Sequence, residues 1–111
     1  MSFVQRSFVE LDSFREDWKR LGLDDVDLLS LETTLVQNPQ AGAVIPGLGG
    51  LRKIRFSANG KGKRGGARII YLDVVVADYI YLIAAYSKNE KTDLSADEKK
   101  YLSKLVKAIL E

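Results

Sequence analysis

Lys53, Arg55 and Arg68 are the side chains of this sequence best suited to act on a phosphodiester. Lys53 and Arg55 are two residues apart, and side chains two apart in a strand share a face. Arg68 opens the next apolar run, where a neighbouring strand would bring it beside them. Three cations on a rigid sheet can position an in-line phosphate and stabilise the added charge of a pentacoordinate transition state without a metal ion. The flanking residues fit such a site. From Arg52 to Arg68 there are seven basic residues (Arg52, Lys53, Arg55, Lys61, Lys63, Arg64 and Arg68) and no acidic one. The chain has 17 Lys+Arg and 15 Asp+Glu, so removing those seven leaves 10 against 15, a net −5 on the remainder. The overall +2 therefore hides a concentrated positive surface on an acidic body. Such a surface costs self-repulsion, and its usual use is to hold a polyanion such as a nucleic-acid backbone.

Composition narrows the chemistry. With 111 residues, 46% of them hydrophobic, the chain is expected to form one domain, residues 1–111, around a sufficient core. It contains no cysteine and no histidine. The first absence excludes a disulfide, a thiolate zinc site and a cysteine nucleophile. The second removes the usual general acid–base, the usual metal ligand and every histidine-based triad. An oxygen-ligand metal site needs carboxylates converging on one point. Asp73 and Asp78 fall in or near a hairpin and the remaining acids read as solvated helix faces, so no metal and no other cofactor is expected. Gly60-Lys61-Gly62-Lys63-Arg64-Gly65 matches G-x-G-x-x-G, but a dinucleotide fingerprint follows a strand and opens a helix. Here the glycines separate two predicted strands, so they read as a basic hairpin loop whose backbone moulds to a phosphate chain. Among the tyrosines, Tyr71, Tyr79 and Tyr81 read as sheet residues, and Tyr86, ending the last strand, is the one placed to touch substrate.

The elements that must hold these residues follow from periodicity and caps. Phe3 to Val9 is a short β-prone run. Ser13 with Glu16 has the capping-box spacing, with Asp12 a rival cap, and Phe14, Trp18 and Leu21 continue at helical spacing to Gly22. A second helix starts near Asp24 or Asp25, carries Val26, Leu28, Leu29, Leu31, Leu35 and Val36, and stops at Asn38-Pro39. A Pro- and Gly-containing connector runs from Gln40 to Gly50. Leu51 to Ser57 alternates, with Ile54 and Phe56 toward a core and Lys53 and Arg55 on the open face. Ala67 to Val75 and Tyr79 to Tyr86 read as an antiparallel pair turning at Ala77-Asp78. Asp73 and Asp78 interrupt the apolar run from Ile69 to Tyr86, and β-branched and aromatic residues dominate it, so it reads as two buried strands and not a membrane span. Ser95 with Glu98 caps a last helix whose core stripe is Leu102, Leu105, Val106 and Ile109. The predicted class is α+β, order β-α-α-β-β-β-α, an antiparallel sheet packed by helices. Met1 to Arg6 lacks the charged-then-apolar order of a signal peptide, so a cytoplasmic location is expected.

Three segments carry a family resemblance: Gly49-Gly50-Leu51-Arg52-Lys53-Ile54-Arg55-Phe56, the loop and strand from Gly60 to Tyr71, and Tyr86-Ser87-Lys88-Asn89-Glu90-Lys91. Together they resemble the HigB branch of RelE-type toxins, in the RelE/ParE superfamily of bacterial type II toxin–antitoxin systems. The resemblance spans nearly the whole chain and implies a RelE-like fold. It also implies a ribosome-dependent endoribonuclease that cuts mRNA in the A site by attack of the ribose 2′-hydroxyl on the adjacent phosphate, without metal, and a cognate antitoxin protein as partner. Lys53 matches a functional lysine of the RelE pattern. Arg55 matches a second lysine, and arginine is a poor base. Arg68 matches the arginine that steadies the transition-state phosphate. The family's later arginine and tyrosine have no clear counterparts: Lys88 and Asn89 follow the last strand, and Ser95 falls where the tyrosine would be. The available proton carriers are Lys53, Lys88, a tyrosine or the substrate itself, since a lysine acts as base only when desolvation or cations depress its pKa. Lys53 is taken as base or transition-state contact and Lys88 as candidate acid, with Arg52, Lys61, Lys63, Arg64, Tyr86 and Lys91 as contacts to RNA or ribosome. Two rival readings stay open: a ParE-like toxin that poisons DNA gyrase without cutting nucleic acid, and a non-catalytic nucleic-acid-binding module, for which charge alone suffices.

Overall fold

The computed structural model describes residues 6–57 and 66–111. In chain order the elements are β1 (Ser7–Glu10), α1 (Asp12–Arg20), α2 (Asp25–Gln37), β2 (Ala43–Val44), β3 (Arg52–Phe56), β4 (Ala67–Val74), β5 (Tyr79–Ser87) and α3 (Ala96–Leu110). They form one five-stranded sheet in the order β1-β5-β4-β3-β2. The fold is α+β, and the expected β-α-α-β-β-β-α order is present with one addition. That addition is β2, which lies inside the predicted connector and pairs Ala43 with Lys53 and Val44 with Arg52. Two residues are too few to show alternation. The sheet is also mixed and not wholly antiparallel, because β1 enters beside β5 and runs parallel to it. An ion pair between buried Arg6 and Asp73 ties this parallel edge to β4, which accounts for one of the two hairpin carboxylates.

Alternation along β3, β4 and β5 splits the apolar side chains between two layers. Phe14 and Trp18 of α1, with Leu31 and Leu35 of α2, pack on Phe56, Ile69, Tyr71, Ile80 and Leu82. On the opposite face, Leu102 and Val106 of α3 pack on Leu51, Ile70, Leu72 and Tyr86. Helix caps explain where the helices start. Asp24 and Asp27 form a reciprocal capping box at α2, with bonds of 2.9 and 3.0 Å, and Ser95 and Glu98 do the same at α3. The box expected at Ser13 and Glu16 is not formed. α1 begins at Asp12, after an N-cap at Leu11 that makes no side-chain bond. Ser13 instead donates to the carbonyl of Ile83 at 2.7 Å. Ile83 is the residue left without a register partner where β4 and β5 shift between Ile70 and Tyr71, so docking the helix on the sheet overrides the local cap.

Two polar clusters fix the parts of the sheet that matter for the site. Beyond Leu82, β1 no longer covers β5, and α1 caps the open edge. The Ala85 amide donates to Asp17 at 2.9 Å, Arg20 donates to the Ala85 carbonyl at 3.2 Å, and the Ser87 amide donates to Glu90 at 2.8 Å. Arg20 grips both Glu90 oxygens at 2.9 and 3.1 Å, which holds the Glu90 carboxyl below its ordinary range and raises the guanidinium further. On the other side, the buried Tyr71 hydroxyl donates to Pro39 and accepts from Gly42, at 2.8 and 2.9 Å. A Cβ at Gly42 would lie 2.9 Å from the Lys53 carbonyl, so only glycine lets the connector approach β3 this closely.

Candidate functional site

The strand register gathers the cations. Arg55 on β3 stands directly opposite Arg68 on β4, and Arg68 stands opposite Tyr86 on β5. Lys53 is one step further along β3, opposite Ile70. Directly opposed side chains have Cβ atoms about 4.5–5.5 Å apart. Arg55, Arg68 and Tyr86 therefore form a row across three strands, with Lys53 at its flank, on the sheet face that α3 partly covers. The alternation that predicted Lys53 and Arg55 opposite Ile54 and Phe56 is present, since Ile54 and Phe56 pack against the α1–α2 layer. Gly66, at φ 59°, delivers the chain into β4, and a Cβ there would meet the Phe56 carbonyl at 2.5 Å.

Acids from outside the basic stretch reach this face. Lys53 Nζ lies 3.5 Å from Asp93 Oδ1, and Lys91 pairs with Glu98. The Leu94 amide, at 2.7 Å, and then Lys53 hold the Asp93 carboxyl below its ordinary range. Lys91 also sits over the Tyr86 ring, 5.3 Å from its centroid. Tyr86 is 3% exposed, and its hydroxyl has no hydrogen-bond partner among the described residues. Burial raises the phenol pKa, Asp93 adds to the rise and Arg68 opposes it. Beside Tyr86, between α1, the end of β5 and α3, opens a cleft of about 630 Å³ lined by Arg20, Glu90, Lys91, Leu94 and Tyr101 among others.

The remaining predicted site residues are not all brought here. Arg52 belongs to the opposite face and donates to the Gly42 and Gln40 carbonyls at 2.8 and 3.3 Å, which makes it a tether for the connector. Lys88 is exposed in the turn after β5, beyond the Tyr86 end of the row. Lys61, Lys63 and Arg64, with the glycines around them, lie outside the described residues. Sequence reasoning overlooked Asp93, and gave Glu98 only its capping role. Asp93 sits in a short non-periodic segment forty residues beyond Lys53, and no spacing rule links the two.

The fold has known counterparts. Residues 13–111 match the family described as "RelE toxin of RelE / RelB toxin-antitoxin system". The chain belongs to the RelE toxin family. A mutant of the E. coli toxin RelE in the free state shares the fold with a TM-score of 0.56 and 13% identity, covering 79% of this chain and 88% of that one. A chain of the intact E. coli RelBE toxin–antitoxin complex is similar, with a TM-score of 0.52 and 16% identity over 74% of this chain and 95% of that one. At such identities the likeness shows a shared RelE fold.

Proposed function

We propose that this RelE-family protein is a ribosome-dependent endoribonuclease that cuts mRNA in the A site and so stops translation. In this reaction the 2′-hydroxyl of one nucleotide attacks its own 3′-phosphate, the bond to the next 5′-oxygen breaks, and a proton passes from the first oxygen to the last. The observation that carries the reading is the Arg55–Arg68–Tyr86 row with Lys53 at its flank. Two guanidiniums on facing strands suit a phosphate whose charge grows toward the transition state. Lys53, on the same face of β3 as Arg55, serves as a further charge contact to the phosphate. Lys88, exposed just past β5, is the candidate donor to the leaving 5′-oxygen. The ribosome aligns the substrate, so effective concentration supplies much of the rate and the protein's chemistry can be modest. A cognate antitoxin neutralises the toxin in the cytoplasm, as the RelBE complex suggests by analogy.

The test is cleavage of mRNA on purified ribosomes programmed with a defined A-site codon, with cut sites mapped by primer extension. Cuts within the A-site codon that vanish when ribosomes are omitted support the reading. Intact mRNA with soluble, folded protein would refute it, and gyrase–DNA complexes trapped by the same preparation would favour a gyrase poison.

A further inference from the structure

The segment from Lys91 to Glu98 holds two cations of the basic face in the free protein. Asp93 contacts Lys53, and Glu98 pairs with Lys91. Beneath Lys91 lies the Tyr86 ring, whose buried hydroxyl has no partner among the described residues. An unsatisfied buried hydroxyl is costly, and such groups persist mainly where function uses them. A carboxylate and a phosphate offer an ammonium the same kind of anionic oxygen.

We propose that Asp93 and Glu98 stand in for RNA phosphates, holding Lys53 and Lys91 until RNA displaces them and leaves the Tyr86 hydroxyl as a further substrate contact. The proposal rests on the RNA-cleaving reading of the same face. Both ion pairs are partly exposed, with side-chain exposures of 32% and 60% for Lys53 and Asp93 and of 34% and 37% for Lys91 and Glu98. Pairs of this kind are weak, so their exchange for phosphate meets little resistance. A polyanion also presents several phosphates at once and releases counterions as it binds. Each carboxylate has a second donor to keep when its lysine leaves. Asp93 retains the Leu94 amide at 2.7 Å, and Glu98 retains the Ser95 amide at 2.8 Å as half of the α3 capping box. The segment can thus release both lysines without unravelling α3. Tyr86 stands opposite Arg68 in the strand register, so its side chain neighbours the place where a phosphate on Arg68 would sit once Lys91 moves off the ring.

The experiment compares the full-length protein with the double variant Asp93→Asn/Glu98→Gln, in which glutamine can still complete the capping box. Affinity for a short fluorescein-labelled single-stranded RNA is read by anisotropy at low salt. Losing two weak competing pairs should raise affinity roughly three- to tenfold. A control, Asp12→Asn/Glu16→Gln on α1 across the sheet, makes the same charge change and should raise it by less than about twofold. Tyr86→Phe, added to the double variant, should lower affinity while leaving the melting temperature unchanged or higher. An affinity equal to wild type in the double variant, or an equal rise in the control, would overturn the proposal while leaving the RNA reading intact. RNA binding by neither wild type nor double variant would overturn the proposal, whereas the RNA-cleaving reading stands or falls with cleavage on programmed ribosomes.

Discussion

Arg68→Ala is the substitution that most directly tests whether the cation row is an active site. A phosphate oxygen seated about 4 Å from the guanidinium at an effective dielectric of about 20 interacts by about 4 kcal/mol. Only the part that grows as the phosphate gains charge accelerates the reaction. Removing one preorganised donor of this kind typically lowers the rate by roughly 10²–10³. The lower end is expected here, because Arg55 stands directly opposite and still reaches the phosphate. For the same reason Arg55→Ala/Arg68→Ala should lose more than the product of the single effects. Stability should hardly change, since like charges directly opposed on neighbouring strands disfavour the fold and their separation offsets part of any lost contact. The assay is single-turnover cleavage on programmed ribosomes, with thermal unfolding as the control for folding. A folded Arg68→Ala protein that cleaves within about threefold of wild type would remove Arg68 from the site and, with it, the argument that the row performs the chemistry.

Arg55→Lys separates two roles: it should impair cleavage if the guanidinium binds phosphate with two prongs, and an improved rate would instead assign a base to that position. Tyr71→Phe should cost about 1–3 kcal/mol in chemical denaturation, because it leaves the Gly42 amide and the Pro39 carbonyl without their buried partner; a loss below about 0.3 kcal/mol would contradict the anchoring role. Acid should destabilise the protein through Glu90 and Glu98, whose folded values lie below the ordinary 4.5, so their contribution is present above that pH and fades as pH falls through the lowered values. Glu90→Gln should flatten that acid limb, and an unchanged slope would discount the Arg20 network; Glu32, raised by burial, acts in the opposite sense. Replacing Lys61, Lys63 and Arg64 together should reduce the salt dependence of RNA affinity, and an unaltered slope would place the binding surface elsewhere.

The sequence was most informative where local physics decides. Alternation at Lys53-Ile54-Arg55-Phe56 determined which side chains share a face, because a strand has only two. Ser95 with Glu98 marked the start of α3 because the box is satisfied within one turn. The misses lie where distant segments set the outcome. Ser13 is drawn from its capping position to the Ile83 carbonyl by a shift in the β4–β5 ladder that no local pattern encodes. β2 exists because Gly42 lets the connector approach β3, and Arg52 lies off the cation row for the same reason: its partners are carbonyls of that connector. At the site, Lys53, Arg55, Arg68 and Tyr86 were legible as a group, whereas Asp93, which faces Lys53, comes from a segment without periodicity.

Where local rules are broken in this structure is itself informative. Away from the basic face, the Tyr71 hydroxyl has two backbone partners, Asp27 closes a helix cap, and Arg6 pairs with Asp73 while its buried Nε stays without a partner among the described residues. On the basic face the rules fail together. Two arginines oppose each other across a ladder, and a phenol beside them is buried without a partner. A fold selected for stability alone would relieve each with its own single change, Arg55→Glu for the first or Tyr86→Phe for the second. Their coincidence on one row of three strands is what a phosphate site requires, since positive charge must converge before the anion arrives. The acids of the Lys91–Glu98 segment moderate that convergence from outside the row, through exposed pairs weak enough to yield to RNA. Stability has been given up where the anion would bind and kept where the sheet must stay rigid to present it.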